Sequence, residues 1–299
     1  VAPFSTRLAV FKGLSSVLEI LPERVDVWLG STIAEIIGKR SSAPRDNLRE
    51  NLRRVLSYGG AHVDEALLER FVNRGFSNYG RYWVEGAKLP ALSKDYIDKR
   101  FVVAEGLEHL RAAKAAGNGV IVALPHIGSW EWGGSHLSHI DLTMTAVAEA
   151  LDPPELFQWF KKKRASVGID IEPLDEHAGT VLLQKLKSGG VVGLLCDRDI
   201  QGNGVDAELF GSTVTVPAGP ATLALRTGAT LVAAACFAGP GRDHFAVVTP
   251  PIDTTRRGKM RDDVQRVTQD VTRELEFLIR RAPEQWHVLE SRFASPTVA

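Results

Sequence analysis

The sequence predicts an α/β fold: a mostly parallel central sheet flanked by helices, with a helical N-terminal cover. Three observations carry this. From about residue 100, short apolar runs alternate with stretches of helical periodicity, the pattern of a sheet covered by helices. The run Val120 to Leu124 holds no polar residue, as a strand buried on both faces requires, and Pro125 ends it. The first 90 or so residues hold no such run and repeat their apolar side chains at helical spacing.

In order along the chain, Phe4, Leu8, Phe11, Leu14, Leu18 and Leu21 form one helical stripe that stops at Pro22. Val27, Trp28, Ile33, Ile36 and Ile37 mark a second helix. Leu48, Leu52, Val55 and Leu56 mark a third, with Arg45, Arg49, Arg53 and Arg54 around them. Val63 to Ala87 reads as a long fourth helix, which Pro90 terminates. Strands are then expected at Phe101–Val103, Val120–Leu124, Met144–Val147, Ile169–Ile171, Val191–Leu195, Thr230–Cys236 and Phe245–Val248. Helices are expected between them at Leu107–Ala116, Glu131–Ser138, Pro154–Val167, Gly179–Lys187 and Pro217–Thr227, and a polar helix at about Lys259 to Arg281 closes the chain. The whole of 1–299 is expected to be one domain, with a helical part over 1–90 and an α/β part over 100–299 that carries the site.

Lys+Arg 36 balances Asp+Glu 36, so no global basic field points to nucleic acid. No run reaches the roughly 18 apolar residues of a membrane span, and a secretory leader pattern is missing. Contact with a membrane is therefore expected only at its surface. Cys196 and Cys236 lie in apolar strand-like runs and read as buried, reduced thiols, which fits a cytosolic compartment.

His126 follows the strand Val120–Leu124, where α/β sheets place their ligands. Glu131 comes five residues later, about 140° away on a continuous helix, so the two meet only if the chain turns at Gly128 and Ser129. A histidine oriented by a carboxylate can deprotonate a hydroxyl. The second charged strand end is Asp197-Arg198-Asp199, expected on the same side of the sheet. Either Asp197 or Glu131 could orient His126, and Arg198 could bind an anion. Backbone N–H groups from Gly128 through Ser129 to Trp130 are candidate oxyanion donors. Glu149 ends another strand, and Lys161 to Arg164 form a basic run on the next helix. Pro217-Ala-Gly-Pro220 opens a further helix. No His, Cys or Asp spacing indicates a metal site.

The ordered set resembles the lysophospholipid acyltransferase-like superfamily, in the branch of the lipid A and actinobacterial phosphatidylinositol mannoside acyltransferases. The resemblance runs from about Asn47 to Phe293. It rests on His126-x4-Glu131, Val147-Ala148-Glu149, Arg164 before Gly168, Asp197-Arg198-Asp199, Phe210-Gly211 and Pro217-Ala218-Gly219-Pro220, with aromatic clusters at Asn78–Trp83 and Gln285–His287. The branch usually has Asp where Glu131 stands and Glu where Asp197 stands, so the two carboxylates keep their places with lengths exchanged. The missing N-terminal span points to the mannoside enzymes, which sit peripherally on the membrane.

The resemblance implies an acyl-CoA-dependent O-acyltransferase acting on a hydroxyl of a membrane glycolipid, with a mannose of phosphatidylinositol mannoside as acceptor. His126 is the implied base, Asp197 and Glu131 its carboxylates, and Glu149, Arg164, Arg198, Gly128, Ser129 and Trp130 the implied substrate contacts. No cofactor is implied, since acyl-CoA is a co-substrate. The partners are acyl-CoA, the glycolipid and an anionic membrane surface, with the protein peripheral on the cytoplasmic face of the plasma membrane. The stripe Phe4 to Leu18 and the arginines of the third helix are the expected membrane contacts. Another lysophospholipid or lipid A type acyltransferase, and a non-catalytic lipid-binding protein, are the alternatives. An α/β hydrolase is disfavoured by the absence of Gly-x-Ser-x-Gly.

Overall fold

The computed structural model describes residues 12, 13, 15–149 and 153–293. Phe4, Leu8, Phe11 and Leu14 of the N-terminal stripe lie outside the described residues. The helical cover consists of α1 (Glu23–Arg40), α2 (Ser42–Ser57) and α3 (Glu65–Lys88), preceded by a helical turn over 15–20. Asp64 caps α3 by accepting from the Leu67 N–H at 3.1 Å.

The apolar residues of α1 face the wrong way for a core helix. Trp28 is 64% exposed and Ile37 57%, with Ile33 and Ile36 similarly open. The opposite, small-residue face packs on α3. Gly30 and Ala34 lie against Gly80, and Gly38 lies under Phe76, so closely that a Cβ on Gly80 would sit 2.3 Å from the Gly30 carbonyl oxygen. The stripe of small residues lets two backbones approach and turns the bulky side chains outward. Beside it, Asp26 and Glu85 are buried charges with partners. Asp26 binds Lys88 at 2.7 Å and also Arg242. Glu85 binds Arg81 at 2.8 Å, His244 at 2.9 Å and the Ser129 hydroxyl at 3.0 Å. Removing one member would leave a buried charge uncompensated.

The α/β part runs α4 (Lys94–Arg100), β1 (Phe101–Glu105), α5 (Leu107–Ala116), β2 (Val120–Leu124), α6 (Trp130–His139), β3 (Met144–Ala148), α7 (Pro154–Ala165), β4 (Ile169–Pro173), α8 (Ala178–Lys187) and β5 (Val191–Leu195). It continues with β6 (Val205–Leu209), β7 (Ser212–Val216), α9 (Gly219–Thr227), β8 (Thr230–Ala238), β9 (His244–Val248) and α10 (Met260–Arg281). Seven strands form one sheet in the order β1-β9-β8-β2-β5-β3-β4. The five from β8 to β4 are mutually parallel; β9 is antiparallel to β8, and β1 runs with β9. The reversal follows from the loop between β8 and β9, too short for the crossover that parallel strands need.

All the strands expected from the sequence form, and a short helix and a two-stranded hairpin are new. Helix α4 is short and capped by Ser93. Strands β6 and β7 make a separate hairpin whose alternating burial reads as one wet and one dry face. Phe210 and Gly211 turn it with φ of 50° and 71°, the two left-handed positions of a type I′ turn.

Side chains alternate along β2. Ile121 and Ala123 face a core with α9 and α10 residues such as Leu223 and Leu275, while Val120, Val122 and Leu124 face one with Trp132 and Leu137 of α6. Burying each Val, Leu or Ile side chain stabilises by about 1.5–3 kcal/mol. Two covered faces leave the carboxyl ends of β2, β5 and β3 as the open edge of the layer, where the chemistry-bearing residues collect.

Candidate active site

Parallel register aligns Leu124 of β2 with Leu195 of β5. His126 and Asp197 each follow two residues later, so they emerge side by side. The Nδ1 of His126 lies 2.5 Å from Oδ1 of Asp197. The other carboxylate oxygen accepts from the His126 backbone N–H at 2.9 Å and from the Trp286 indole N–H at 2.7 Å. Asp197 is fully buried and His126 is partly exposed. Burial alone would raise the Asp197 pKa, but the His126 ring, the Trp286 indole and the His126 N–H hold it well below the carboxylate range. Asp197 occupies Nδ1, so Nε2 is the nitrogen that can take a proton.

Glu131 points elsewhere. Its Oε1 takes the Tyr82 hydroxyl at 3.1 Å and Arg164 at 3.1 Å, and its Oε2 is buried without a hydrogen-bond partner. The turn that the sequence required at Gly128 and Ser129 does occur, with Gly128 at φ 56°. It starts α6 instead of bending Glu131 back to the imidazole. Any residue with a Cβ at position 128 would place it 1.9 Å from the Cys236 carbonyl oxygen.

Two of the expected oxyanion donors are already committed, which corrects that expectation. The Gly128 N–H donates to the Gln285 carbonyl at 3.0 Å and the Ser129 N–H to the Cys236 carbonyl at 3.1 Å. Both residues are buried, and the Ser129 hydroxyl holds Glu85, so they anchor the His126 loop and present no donor to a ligand. Trp130 opens α6, where the first N–H groups lack intrahelical partners.

A cavity of about 680 Å³ faces His126 and is lined by Trp130, Glu149, Arg164, Arg198 and the Pro217–Pro220 segment. Glu149 is exposed at the end of β3. Arg198 pairs with Glu290 at 3.0 Å, and Glu290 is itself well exposed. A second, mainly apolar cavity of about 270 Å³ is lined by Leu18, Trp83, Ala87, Leu89, Pro90, Trp159, Phe160 and Val167, with Glu131 in its wall. Tyr82 and Arg164 border both cavities. Arg164 stacks its guanidinium near Trp130 at 5.3 Å and Phe160 at 5.6 Å.

Several site residues carried little sequence signal. Trp286 and Arg292 hold Asp197 from its far side, Arg292 donating to the Asp197 carbonyl at 2.7 Å. Asn51 of α2 binds the Val288 and Glu290 carbonyls at 3.0 and 2.8 Å, fixing that segment. For Trp286 and Tyr82 the aromatic clusters were visible; for Glu85 the only local sign was Arg81 one helical turn earlier.

His287 packs against Tyr82 with ring centroids 5.1 Å apart, its Nε2–H donating to the Gly128 carbonyl at 3.1 Å. Its Nδ1 is buried without a partner. Burial pushes its pKa down from 6.5 to about 4. Between those values the unfolded chain binds a proton that the folded protein refuses, so stability should fall as pH drops through this window. Melting temperatures at pH 7 and pH 5 (the latter above the range where the depressed carboxylates titrate) should show a shallower loss in His287→Gln. An unchanged slope would assign the effect to another group.

A family model for bacterial lipid A biosynthesis acyltransferase matches residues 7–295. The chain belongs to this family. It is 36% identical over 252 residues to a phosphatidylinositol mannoside acyltransferase of Mycobacterium tuberculosis (strain CDC 1551 / Oshkosh), covering 83% of this chain and 77% of that protein. The enzyme of the same name from Mycolicibacterium smegmatis is 33% identical over 258 residues, 85% of this chain and 81% of its own length. The chain is therefore an acyltransferase of the lipid A and mannoside type, and the family resemblance read from its motifs is shown. No helix among the described residues is long and apolar enough to cross a membrane.

Proposed function

We propose that this acyltransferase moves a long-chain acyl group from acyl-CoA to a hydroxyl of a membrane glycolipid, a mannose of phosphatidylinositol mannoside, with His126 as general base. The observation that carries the reading is the His126–Asp197 pair at 2.5 Å, opening on the larger cavity with an apolar cavity alongside. Nε2 of His126 takes the acceptor's hydroxyl proton while its oxygen attacks the thioester carbonyl carbon. The tetrahedral intermediate collapses, the carbon–sulfur bond breaks, and the departing thiolate of CoA receives that proton. Asp197 fixes the Nδ1–H tautomer and stabilises the imidazolium.

The remaining residues divide by position. The apolar cavity suits the acyl chain. Glu131, Tyr82 and Arg164 form the polar joint between the cavities and hold its shape. Arg198, whose partner Glu290 is solvated, can leave that pair to meet a phosphate, because such pairs are weak. The test incubates the protein with palmitoyl-CoA, with and without a mannosylated phosphatidylinositol, and follows free CoA thiol and acylated lipid by mass spectrometry. Thiol release that needs acceptor and matches acyl-lipid formation supports the reading. Bound acyl-CoA without turnover would leave a lipid-binding protein.

The membrane contact is reassigned in this proposal. Arg45 and Arg49 pair with Glu69, and Arg53 pairs with Glu65, so these arginines project less positive charge than their number suggested. The open apolar face of α1, with Val17 and Ile20 before it, is the better candidate for the cytoplasmic-side membrane surface. Ile33→Asp with Ile37→Asp, both at exposed positions, should sharply reduce pelleting with phosphatidylglycerol-containing vesicles. Pelleting equal to wild type would move the contact away from α1.

A further inference from the structure

Far along α6 from Glu131, the structure assembles three side chains that the acyl-transfer reading does not use. His136 and His139 lie three positions apart on one face of the helix, as i and i+3 residues do. Both aim Nδ1 at the same oxygen of Asp98 on α4, at 2.9 and 2.8 Å. One ligand atom from each of the three lies within 4.8 Å of the others. The side chains of both histidines are 15% exposed and that of Asp98 31%, so the cluster is fixed by packing yet open to water on one side.

We propose that Asp98, His136 and His139 form a binding site for a divalent transition metal, with Zn2+ as the ion, that ties α4 to the C-terminal end of α6. Two imidazole nitrogens and a carboxylate oxygen are a common donor set for Zn2+, and the open side leaves the fourth position to water. Ligand atoms around tetrahedral Zn2+ stand roughly 3.3 Å apart, so the two gaps between Asp98 and the imidazoles, 2.9 and 2.8 Å, need to widen by only about half an ångström, while the two imidazole nitrogens already lie within 4.8 Å of each other. Each imidazole would shift its proton to Nε2 and turn the Nδ1 lone pair to the metal. All three ligands sit in the last turns of their helices, where the backbone dipole favours a cation. The ion would brace the helix whose first turn carries Glu131.

The test uses the full chain, stripped with EDTA, dialysed and titrated with CoCl2 and then ZnCl2. We expect one equivalent of Co2+ to give visible d–d bands that Zn2+ abolishes, and a melting temperature that rises with Zn2+. Losing an outer-shell partner costs about 10- to 100-fold in affinity, so removing a ligand by His136→Gln or His139→Gln should cost at least that. Asp98→Asn keeps an acceptor for both imidazoles and serves if a histidine variant fails to fold, with circular dichroism as the check. No binding of Zn2+ at micromolar free metal would overturn the proposal. So would equal binding by the folded variants, which would place the ion on other histidines.

Discussion

Replacing His126 with alanine is expected to leave a folded protein whose acyl transfer has fallen by roughly 100- to 10,000-fold. The imidazole is partly exposed at the edge of the larger cavity, so its removal leaves no large void in a packed core. Its backbone contacts survive, since the N–H still donates to Asp197 and the carbonyl still accepts from the His287 N–H at 2.7 Å. What is lost, on the proposed mechanism, is the base that takes the hydroxyl proton. The check is the palmitoyl-CoA assay beside a thermal melt: an intact melt with turnover near wild type would remove His126 from the mechanism. A variant that still binds acyl-CoA while failing to transfer would separate chemistry from binding.

The second large effect is expected from Asp197→Asn, which keeps the volume of a fully buried side chain and changes its charge. Two fixed donors, the His126 N–H and the Trp286 indole, converge on one oxygen of the native carboxylate. In asparagine they hold the amide oxygen there and turn the amide nitrogen toward His126. That NH2 donates to Nδ1 and forces the proton onto Nε2, the nitrogen that the proposed mechanism needs free to accept. The expected loss is again about 100- to 10,000-fold, in kcat with KM little changed. Nitrogen chemical shifts of the imidazole report the tautomer directly. Glu131→Gln is the informative comparison, because its contacts are Tyr82 and Arg164. It should weaken the joint between the cavities and leave the tautomer native. A native tautomer in Asp197→Asn with a reversed one in Glu131→Gln would exchange their roles.

Much of the fold was legible in the sequence because strand and helix periodicity is local. Val120–Leu124 could be read as a buried strand from five consecutive apolar residues, and its end placed His126 at a carboxyl edge. The hairpin Val205–Val216 was harder. It is amphipathic, lies outside the main sheet, and its turn is Phe210-Gly211 in place of the Asn-Gly or Asp-Gly that announces such turns. Helix α4 is a seven-residue element between Pro90 and β1, too short to establish a period.

The sequence by itself determined the α/β class, the places along the chain of the seven strands of the main sheet, the strand ends that carry His126, Asp197 and Glu149, and the ordered motifs of the acyltransferase family. All of these depend on neighbours within a turn or a strand. Only the tertiary structure decided which carboxylate meets the imidazole. Asp197 is 71 residues from His126 and reaches it through the parallel register of β2 and β5, whereas Glu131, five residues away, is carried off by α6 to Arg164. The structure also decided that α1 turns its apolar side chains outward, because the close approach of Gly30, Ala34 and Gly38 to α3 leaves no room for them inside. It brought Asp98 to His136 and His139 from another helix as well. Periodicity says which face of an element is apolar; only packing against a distant partner says where that face points.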